Sequence, residues 1–307
     1  MRAECVYDER PGVIASCLGA SALVCQSERH RVIASSRHRM SILTTLLAVA
    51  RQALNRQLVY RAANLAGLVT NAFFGFLRAS VLIALFAAKT APRVGGLDLR
   101  AAVTYTGVAQ ALIVWVALWG WWDLIDAIKT GDIASDLQRP LSVFWYWCAQ
   151  DAGRAVAQLV MRSLPIMAVY AVLFPLALPR DVVQWIGFGT AIVMAWLLCF
   201  AWRFLYSLAG FWLTDATSIG RAAAFLMTFL SGFLMPVGFF PPWAQTLMLL
   251  TPFPSFINTP IEIFVNVATG PHMLALLAIQ AFWIVVLITL AHVVLYAGLR
   301  RLTMEGG

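Results

Sequence analysis

Long apolar segments, each close to the thickness of a lipid bilayer, recur from residue 65 almost to the end of the chain. A hydrocarbon core of about 30 Å needs roughly 20 apolar residues in a helix that rises about 1.5 Å per residue. Six segments have that length, at residues 65–88, 101–120, 156–178, 183–205, 217–239 and 273–298. The pattern predicts an all-α polytopic membrane protein with six transmembrane helices.

The composition favours one membrane domain over soluble domains. Of the 307 residues, 61% are hydrophobic and 12% are charged, whereas soluble domains carry about 25% charged residues. No polar block between the apolar segments is large enough for a second domain, so residues 40–307 are predicted to form one transmembrane domain. The formal net charge is +8, and the arginines lie at the ends of apolar segments. That placement favours the anionic membrane surface over nucleic acid as the partner of the charge.

The division of arginine and lysine between the two sides of the membrane predicts the orientation, because basic residues gather on the cytoplasmic side. The richer side, which includes both termini, carries Arg51, Arg56, Arg61, Lys129, Arg139, Arg154, Arg203, Arg221, Arg300 and Arg301. The poorer side carries Arg93, Arg100 and Arg180. Both termini are therefore predicted to be cytoplasmic.

The N-terminal residues differ from the rest of the chain. Residues 1–39 mix charged and small polar residues with one apolar stretch, and they are predicted to be a disordered or spurious extension. After Met40, the segment 41–54 has an apolar face at helical spacing, with Arg51 and Arg56 on the polar side. This pattern predicts an interfacial amphipathic helix on the cytoplasmic leaflet. The alternative for residues 1–39 is a short cytoplasmic tail.

The segment 121–140, between the second and third predicted spans, is too polar to enter the bilayer. Thr130 or Asp132 is placed to cap a short helix, and Pro140 is placed to end that helix after Leu137. The sequence therefore predicts a short cytoplasmic helix in this loop.

Two apolar residues of this short helix, Ile133 and Leu137, are predicted to share an exposed face. Asp136 in the same helix favours its positive N-terminal half. The four-residue spacing of the apolar pair is typical of a helix that docks into a groove of a partner. The alternative is an amphipathic connector that rests on the membrane surface.

Prolines divide a second irregular segment, residues 232–270, into apolar pieces that are too short to cross a bilayer. The dividing residues are Pro236, Pro241, Pro242, Pro252, Pro254 and Pro260. Because helices rarely continue through such prolines, the pieces predict re-entrant helices between the fifth and sixth spans. Broken backbone at membrane depth is tolerated where it is buried in protein or faces a water-filled cavity. The alternative is an interfacial loop that faces lipid.

Arg78 lies near the middle of the first predicted span and is a candidate functional residue within the membrane. A charge there costs about 2.5–3.5 kcal/mol, and such residues usually face the protein interior or a cavity. No acidic residue falls in the other predicted spans, so the expected partner is a backbone carbonyl, a hydroxyl, the substrate or a second subunit. Arg203 is expected to reach the inner surface. A later start of the first span would instead place Arg78 at the membrane interface.

The sequence patterns give no candidate for bond chemistry. Lys89 and Lys129 do not follow a glycine-rich phosphate loop, so ATP hydrolysis by this chain is not expected. The four histidines and five cysteines lack the spacing of metal ligands. We therefore predict no catalytic residue, no metal site and no cofactor on this chain.

The six-span layout and the two irregular segments together resemble the ABC-2-type exporter permeases, in particular the short six-span branch that includes viologen-exporter-like transport permeases. The resemblance extends from Met40 to the C-terminus. The motifs that carry it are TGDIASDLQRP at 130–140, SGFLMP at 231–236, FPPW at 240–243, TPF at 251–253 and NTP at 258–260.

The resemblance implies the transmembrane permease subunit of an ATP-binding-cassette exporter. Such a subunit moves an amphiphilic or hydrophobic substrate, such as a drug or a lipid, outward by alternating access. Separate ATPase subunits would hold ATP and Mg²⁺, and a second copy or a related permease would complete a dimer. The coupling helix to the ATPase would comprise Asp132, Ile133, Asp136, Leu137, Arg139 and Pro140. The extracellular gate would comprise Pro236, Pro241, Pro242, Trp243, Pro252, Pro260 and Glu262.

Two other functions are compatible with the residues. A membrane-embedded enzyme acting on a lipid-linked substrate would need polar catalytic groups at the interface, and Glu262 and His272 are the nearest candidates. A channel or a non-transporting membrane scaffold would not need a cytoplasmic docking helix.

Overall fold

The computed structural model describes residues 42–88 and 93–305, with side chains to Arg301. Nearly all of these residues belong to one structural unit, Leu46–Gly307. Every regular element within them is helical, which confirms the predicted all-α class. The predicted extension at residues 1–39 lies outside the described residues.

The α-helices are labelled in chain order. They are α1 (Ile42–Val59), α2 (Arg61–Ala88), α3 (Leu99–Trp115), α4 (Asp123–Thr130), α5 (Ile133–Leu137), α6 (Val143–Leu173), α7 (Val182–Ser207), α8 (Ala216–Leu230), α9 (Pro242–Leu249), α10 (Asn258–Phe264) and α11 (Gly270–Glu305). Short 3-10 helices cover Leu208–Phe211, Val237–Phe239 and Phe253–Ser255.

Four of the described helices are long and apolar enough to cross a membrane, namely α2, α6, α7 with its 3-10 extension, and α11. They correspond to four of the six predicted spans. The predicted spans at 101–120 and 217–239 correspond to α3 and α8, which have 17 and 15 residues. These lengths equal about 25 and 22 Å, less than the thickness of the hydrocarbon core. The six-span prediction is therefore confirmed only in part.

The helix α3 ends earlier than predicted because the backbone turns after Trp115. Ala117 has φ 49° and Gly120 has φ 95°, and the left-handed region is accessible to glycine at little cost. All but three of the 17 residues of α3 are buried, and the helix packs against α2, α6 and α10. α3 is thus a central helix of the bundle.

Two prolines shape α6, which begins at Val143 rather than at the predicted residue 156. A π-helical turn at Leu159–Ser163 comes shortly before Pro165; proline lacks the N–H group that a regular α-helix needs at this point. The helix then ends at Leu173 and does not continue through Pro175 to residue 178 as predicted. Phe174 is extended, with φ −132° and ψ 145°, because the residue before a proline avoids the helical region.

The connections between helices meet at two ends of the bundle. At the α4–α5 end, Arg56 forms an ion pair with Asp123 at 2.9 Å, and Lys129 donates a hydrogen bond to Thr217 at 2.8 Å. At the opposite α9–α10 end, Gln184 at the start of α7 donates to the Ile263 carbonyl at 2.7 Å.

The helix predicted after Met40 is present as α1, and it continues to Val59. Gly153 of α6 allows the two backbones to approach closely, because a Cβ at this position would overlap the carbonyl oxygen of Ala50. In α2, the side-chain oxygen Oδ1 of Asn64 accepts a hydrogen bond from the side-chain amide of Gln158 in α6 at 3.1 Å. α1 and the start of α2 therefore rest on α6. The interfacial position of α1 stays a prediction.

Candidate functional site

The α4–α5 end presents two short helices, where the sequence predicted one. Asp123 and Asp126 lie in the first turn of α4 and Lys129 lies in its last turn, an arrangement that complements the helix dipole. Gly131 follows α4 with φ 82°, and glycine commonly ends a helix in this left-handed conformation. The glycine lets the chain turn directly from α4 into α5.

The end of α5 was predicted correctly, but its cap was not. The helix stops at Leu137, three residues before Pro140. Asp132 occupies the N-cap position in a helical conformation and its side chain makes no capping hydrogen bond. Its carboxylate instead accepts a hydrogen bond from the Thr130 hydroxyl at 2.8 Å. The tight turn through Gly131 thus directs this side chain toward α4.

The prediction that Ile133 and Leu137 are both exposed is wrong for Ile133. The Ile133 side chain is 2% exposed and belongs to an apolar cluster with Ile128, Phe144 and Phe204. Leu137 is 38% exposed. The two residues diverge because one side of the five-residue helix faces the apolar cluster, which includes Phe144 of α6 and Phe204 of α7. Ile133 therefore anchors α5, while Leu137 is available at the surface.

Asp136 and Arg139 hold the C-terminal end of α5 against α6. The Asp136 carboxylate lies 3.2 Å from Nε of Arg139, and the Arg139 guanidinium lies 4.5 Å from the ring centroid of Tyr146. Burial raises the pKa of Asp136, and the charge of Arg139 opposes that shift. Pro140 follows as an exposed loop residue. Of the predicted coupling residues within the helix itself, the exposed apolar one is Leu137.

A buried ion network next to α4 was missed in the sequence. Asp151 of α6 accepts hydrogen bonds from Arg154 at 2.7 Å, from Arg203 of α7 at 2.7 Å and from the indole of Trp196 at 2.8 Å. Asp151 is fully buried and Arg203 is 2% exposed. Arg154 lines a small pocket together with Asp123. The network therefore adjoins the α4–α5 end.

Arg154 also donates hydrogen bonds to backbone carbonyl groups at the end of α3. Its two terminal nitrogens donate to the carbonyl oxygens of Val114 at 2.9 Å and Trp115 at 3.0 Å. The last carbonyls of a helix lack partners within the helix and carry partial negative charge, so a cation is favoured there. Through Arg154 and Asp151, the network joins α3, α6 and α7.

Two expectations fail at this network. An acidic residue does lie inside a span, because α6 begins before Asp151. Arg203 does not reach the surface, because Asp151 pairs with it. The spacing of Asp151 and Arg154 by three residues was a signal available in the sequence, since residues three apart are neighbours on a helix. The pairing with Arg203 required the fold.

Arg78 finds one of its predicted partners, a backbone carbonyl. Its guanidinium donates to the Phe233 oxygen at 3.0 Å and lies 3.9 Å from the Phe233 ring centroid. α2 begins at Arg61, so the helix does not start later than predicted. The contact ties the middle of α2 to the beginning of the proline-divided segment.

The prolines of the α9–α10 end begin or precede short helices. Pro242 is the first residue of α9 and Pro252 directly precedes a 3-10 helix. The prediction that Pro260 separates two pieces is wrong. Pro260 lies in the first turn of α10, where the backbone N–H has no partner within the helix and proline is tolerated.

The two α-helices of this end differ in burial. Pro241, Pro242 and Trp243 at the start of α9 are exposed, with Trp243 70% exposed. Six of the seven residues of α10 are buried, as are Pro236 and Pro252. α10 thus belongs to the bundle, whereas α9 lies outside it. Whether either helix is re-entrant stays a prediction.

Hydrogen bonds fix α10 to the central helices. The Tyr105 hydroxyl of α3 lies 2.9 Å from the Gly232 carbonyl and 3.0 Å from Oδ1 of Asn258. Gln280 of α11 donates to the Ser255 carbonyl at 2.8 Å. Burial raises the pKa of Glu262 on α10, and a hydrogen bond from Asn258 opposes that shift. The proline-divided segment is therefore closely connected to the bundle.

The described side chains include no group of three His, Cys, Asp or Glu residues arranged to hold a metal ion. A search of curated proteins finds no match to the chain. A family model described as "ABC-2 family transporter protein" matches residues 74–306, well over half of the chain. This match and the membrane-length helices identify a multi-pass membrane protein. The chain belongs to the ABC-2 transporter family, as an ABC-2-type permease.

Proposed function

We propose that this permease is the membrane subunit of an ATP-binding-cassette exporter in a bacterial inner membrane, with both termini in the cytoplasm. It moves an amphiphilic or hydrophobic substrate, a drug or a lipid, outward by alternating access. Separate ATPase subunits bind ATP and Mg²⁺, and a second permease, identical or related, completes a dimer. The observation that carries the proposal is the helix pair at the α4–α5 end.

The helix pair has the properties of a docking element. Leu137 presents an apolar side chain to the surroundings, while Ile133, one turn earlier, is buried in the cluster with Phe144 and Phe204. A docking helix needs both features, because an exposed apolar anchor binds the partner and a buried one transmits the displacement. We assign the contact with the ATPase to Leu137 and the transmission to Ile133.

The buried ion network extends the path from the helix pair into the bundle. Asp151 bonds Arg203 of α7, and Arg154 holds the last carbonyls of α3. These charges are out of water, and separating them would leave a buried charge without a partner, at a cost of about 3–5 kcal/mol. We infer that α3, α6 and α7 move together when α5 is displaced. α3 then carries the movement to Tyr105 and α10 at the opposite end.

Co-purification with a co-expressed ATP-binding-cassette ATPase subunit tests the docking assignment. Leu137→Asp places a charge where an apolar contact is proposed, and we expect the recovered ATPase to fall at least about tenfold, equivalent to about 1.4 kcal/mol. The unfolding temperature of the permease should stay unchanged, because Leu137 is exposed.

Leu213→Asp is the matched control. Leu213 is 43% exposed and lies at the same end of the bundle, in the loop before α8. The variant makes the same change of size and charge outside the helix pair, and we expect normal recovery of the ATPase. Equal recovery in the two variants, whether normal or reduced, would contradict the assignment to α5.

A lipid-modifying membrane enzyme is the alternative, and one observation favours testing it. His272 lies close enough to Glu262 for its charge to lower the pKa of that carboxyl group. An enzyme that used this pair would lose its activity in His272→Ala, whereas the exporter proposed here should retain substrate-stimulated ATP hydrolysis in the same variant.

A further inference from the structure

Three arginines at the α9–α10 end line one pocket. Arg93, Arg100 and Arg180 come from separate parts of the chain, and they border a space of about 490 Å³ together with Asp98. We call this space the arginine pocket. The sequence assigned these three arginines to the side of the membrane where basic residues are few. Their convergence therefore needs an explanation other than orientation in the membrane.

The charges in the arginine pocket are only partly neutralised. Arg100 donates two hydrogen bonds to the Leu176 carbonyl, at 3.1 and 2.5 Å. Asp98 accepts from the Ala101 backbone N–H at 2.7 Å, as the cap of α3. Within residues 42–88 and 93–305, the side chains of Arg93 and Arg180 have neither an ion pair nor a hydrogen bond. Three cations thus face one anion.

The loop between α6 and α7 carries Arg180 and forms one wall of the arginine pocket. Hydrogen bonds hold this loop in place. The Thr104 hydroxyl accepts from the Ala177 N–H at 2.8 Å, and the Asn266 amide donates to the Leu178 carbonyl at 2.8 Å. Asn266 also accepts from the Arg180 N–H at 3.0 Å. Asn266 itself has φ 61°, a left-handed conformation that asparagine tolerates better than most residues. This wall of the pocket is therefore preformed.

An apolar cavity lies on the other side of the same wall. It has a volume of about 530 Å³, within the usual range for ligand sites. Leu178 lines both this cavity and the arginine pocket, and Leu176 lines the cavity. The cavity is bounded further by Trp185, Phe188 and the π-helical turn of α6. π-helical turns are frequent at functional sites.

We propose that the arginine pocket and the apolar cavity form one binding site for an anionic phospholipid, with its phosphate near Arg93 and Arg180 and its acyl chain in the cavity. The inference names a ligand class for the exporter proposed above and rests on that proposal for transport. Charge complementarity selects the anion, because planar guanidinium groups bind phosphate bidentately. The adjoining cavity selects a phosphate that carries an apolar chain.

Isothermal titration of the purified full-length chain in neutral detergent tests the site with three probes: dioctanoyl phosphatidylglycerol, dioctanoyl phosphatidylcholine and inorganic phosphate. The phosphatidylglycerol should bind at least about tenfold more tightly than either of the others. Equal affinity for the two lipids would overturn the role of the arginines. Equal affinity for inorganic phosphate would overturn the role of the cavity.

Paired variants locate the binding. The double variant Arg93→Gln and Arg180→Gln should weaken phosphatidylglycerol about tenfold or more and leave phosphatidylcholine unchanged. Arg51→Gln, which removes an exposed charge from α1, is the control and should change neither. If the double variant binds phosphatidylglycerol as the control does, the site is not where we place it.

Filling the cavity tests the acyl chain separately. Ala168 lines the cavity and is exposed, so Ala168→Trp is expected to fold and to weaken both lipids at least about fivefold, whereas Ala168→Ser should weaken neither. Unchanged binding by the tryptophan variant would contradict the proposal.

None of these titrations contains an ATPase. Lipid binding without ATPase co-purification would thus refute the exporter and keep the site, and the reverse result would refute the site alone.

Discussion

Arginines at the two ends of this bundle are in opposite situations. At the α4–α5 end, Arg154 and Arg203 are buried and bonded to Asp151. At the α9–α10 end, Arg93 and Arg180 are exposed, and within the described part of the chain their side chains have no bonded partner. The comparison separates two uses of the same side chain. Buried paired arginines hold helices together, and exposed unpaired ones are available to a ligand.

The largest effect is expected from breaking the buried network. Asp151→Ala leaves two buried guanidinium groups without their carboxylate and should lower the free energy of unfolding by about 3–5 kcal/mol, measured by denaturation in detergent. Asp98→Ala, which removes an exposed cap of α3 at the other end, should cost about 1 kcal/mol. Equal losses would remove the distinction between the two ends.

A charge-balanced variant sharpens the same comparison. Asp151→Leu combined with Arg203→Met removes one charge of each sign and fills the space with apolar atoms, so part of the stability lost in Asp151→Ala should return, while Arg154 keeps only its bonds to the Val114 and Trp115 carbonyls. If the double variant is as unstable as Asp151→Ala, the geometry of the hydrogen bonds matters more than the neutralisation of charge.

A smaller effect is expected at the anchor of α5. Ile133→Ala should lower the free energy of unfolding by about 2–4 kcal/mol, because it opens a cavity in the cluster with Phe144. Leu137→Ala should change it by less than about 0.5 kcal/mol, because Leu137 is partly exposed. Similar values for both would show that α5 is not anchored on one side as described.

Two glycines should respond in opposite directions. Gly131→Ala forces alanine into a left-handed conformation and should cost about 1 kcal/mol. A Cβ on Gly189 inside α7 meets nothing within 4 Å, so Gly189→Ala should stabilise the helix by about 0.5–1 kcal/mol. Thermal unfolding of the two variants, measured side by side, gives the sign of each change in stability. A loss at Gly189 would indicate that this surface of α7 contacts another subunit.

The smallest effect on stability is expected at the arginine pocket. Arg93→Gln and Arg180→Gln should each change the free energy of unfolding by less than about 0.5 kcal/mol, because neither side chain bonds to the described residues. The same denaturation measurement checks this. A loss of more than 1 kcal/mol would mean that these arginines support the fold, as Arg203 does.

The apolar segments predicted most of the fold, because length and hydrophobicity alone define a membrane-length helix. They failed for the ends of α3, α6 and α8, where the local backbone decides; α8 stops at Leu230, shortly before Gly232 with φ 84°. The turn at Ala117 and Gly120 shortens α3, and α6 extends back to Val143 through residues that look interfacial in sequence. Asp151 was missed for that reason, since it was counted outside the span.

The sites were predictable to different degrees. The short helix before Pro140 followed from capping and proline rules, but the burial of Ile133 depended on Phe144 and Phe204, which are distant in sequence. The convergence of Arg93 and Arg180 likewise depended on the loop that Asn266 fixes. Patterns along the chain predict where helices form, whereas the environment of a side chain comes from tertiary packing.

Photo-crosslinking from position 137 in native membranes tests most directly whether the α4–α5 end receives the ATPase. A photoreactive amino acid replaces Leu137 in one strain and Leu213 in another, and the products are probed for the co-expressed ATPase subunit. We predict an ATP-dependent permease–ATPase product from position 137 and none, or far less, from position 213. Absence of the product at 137, with the permease folded and expressed, would contradict the account.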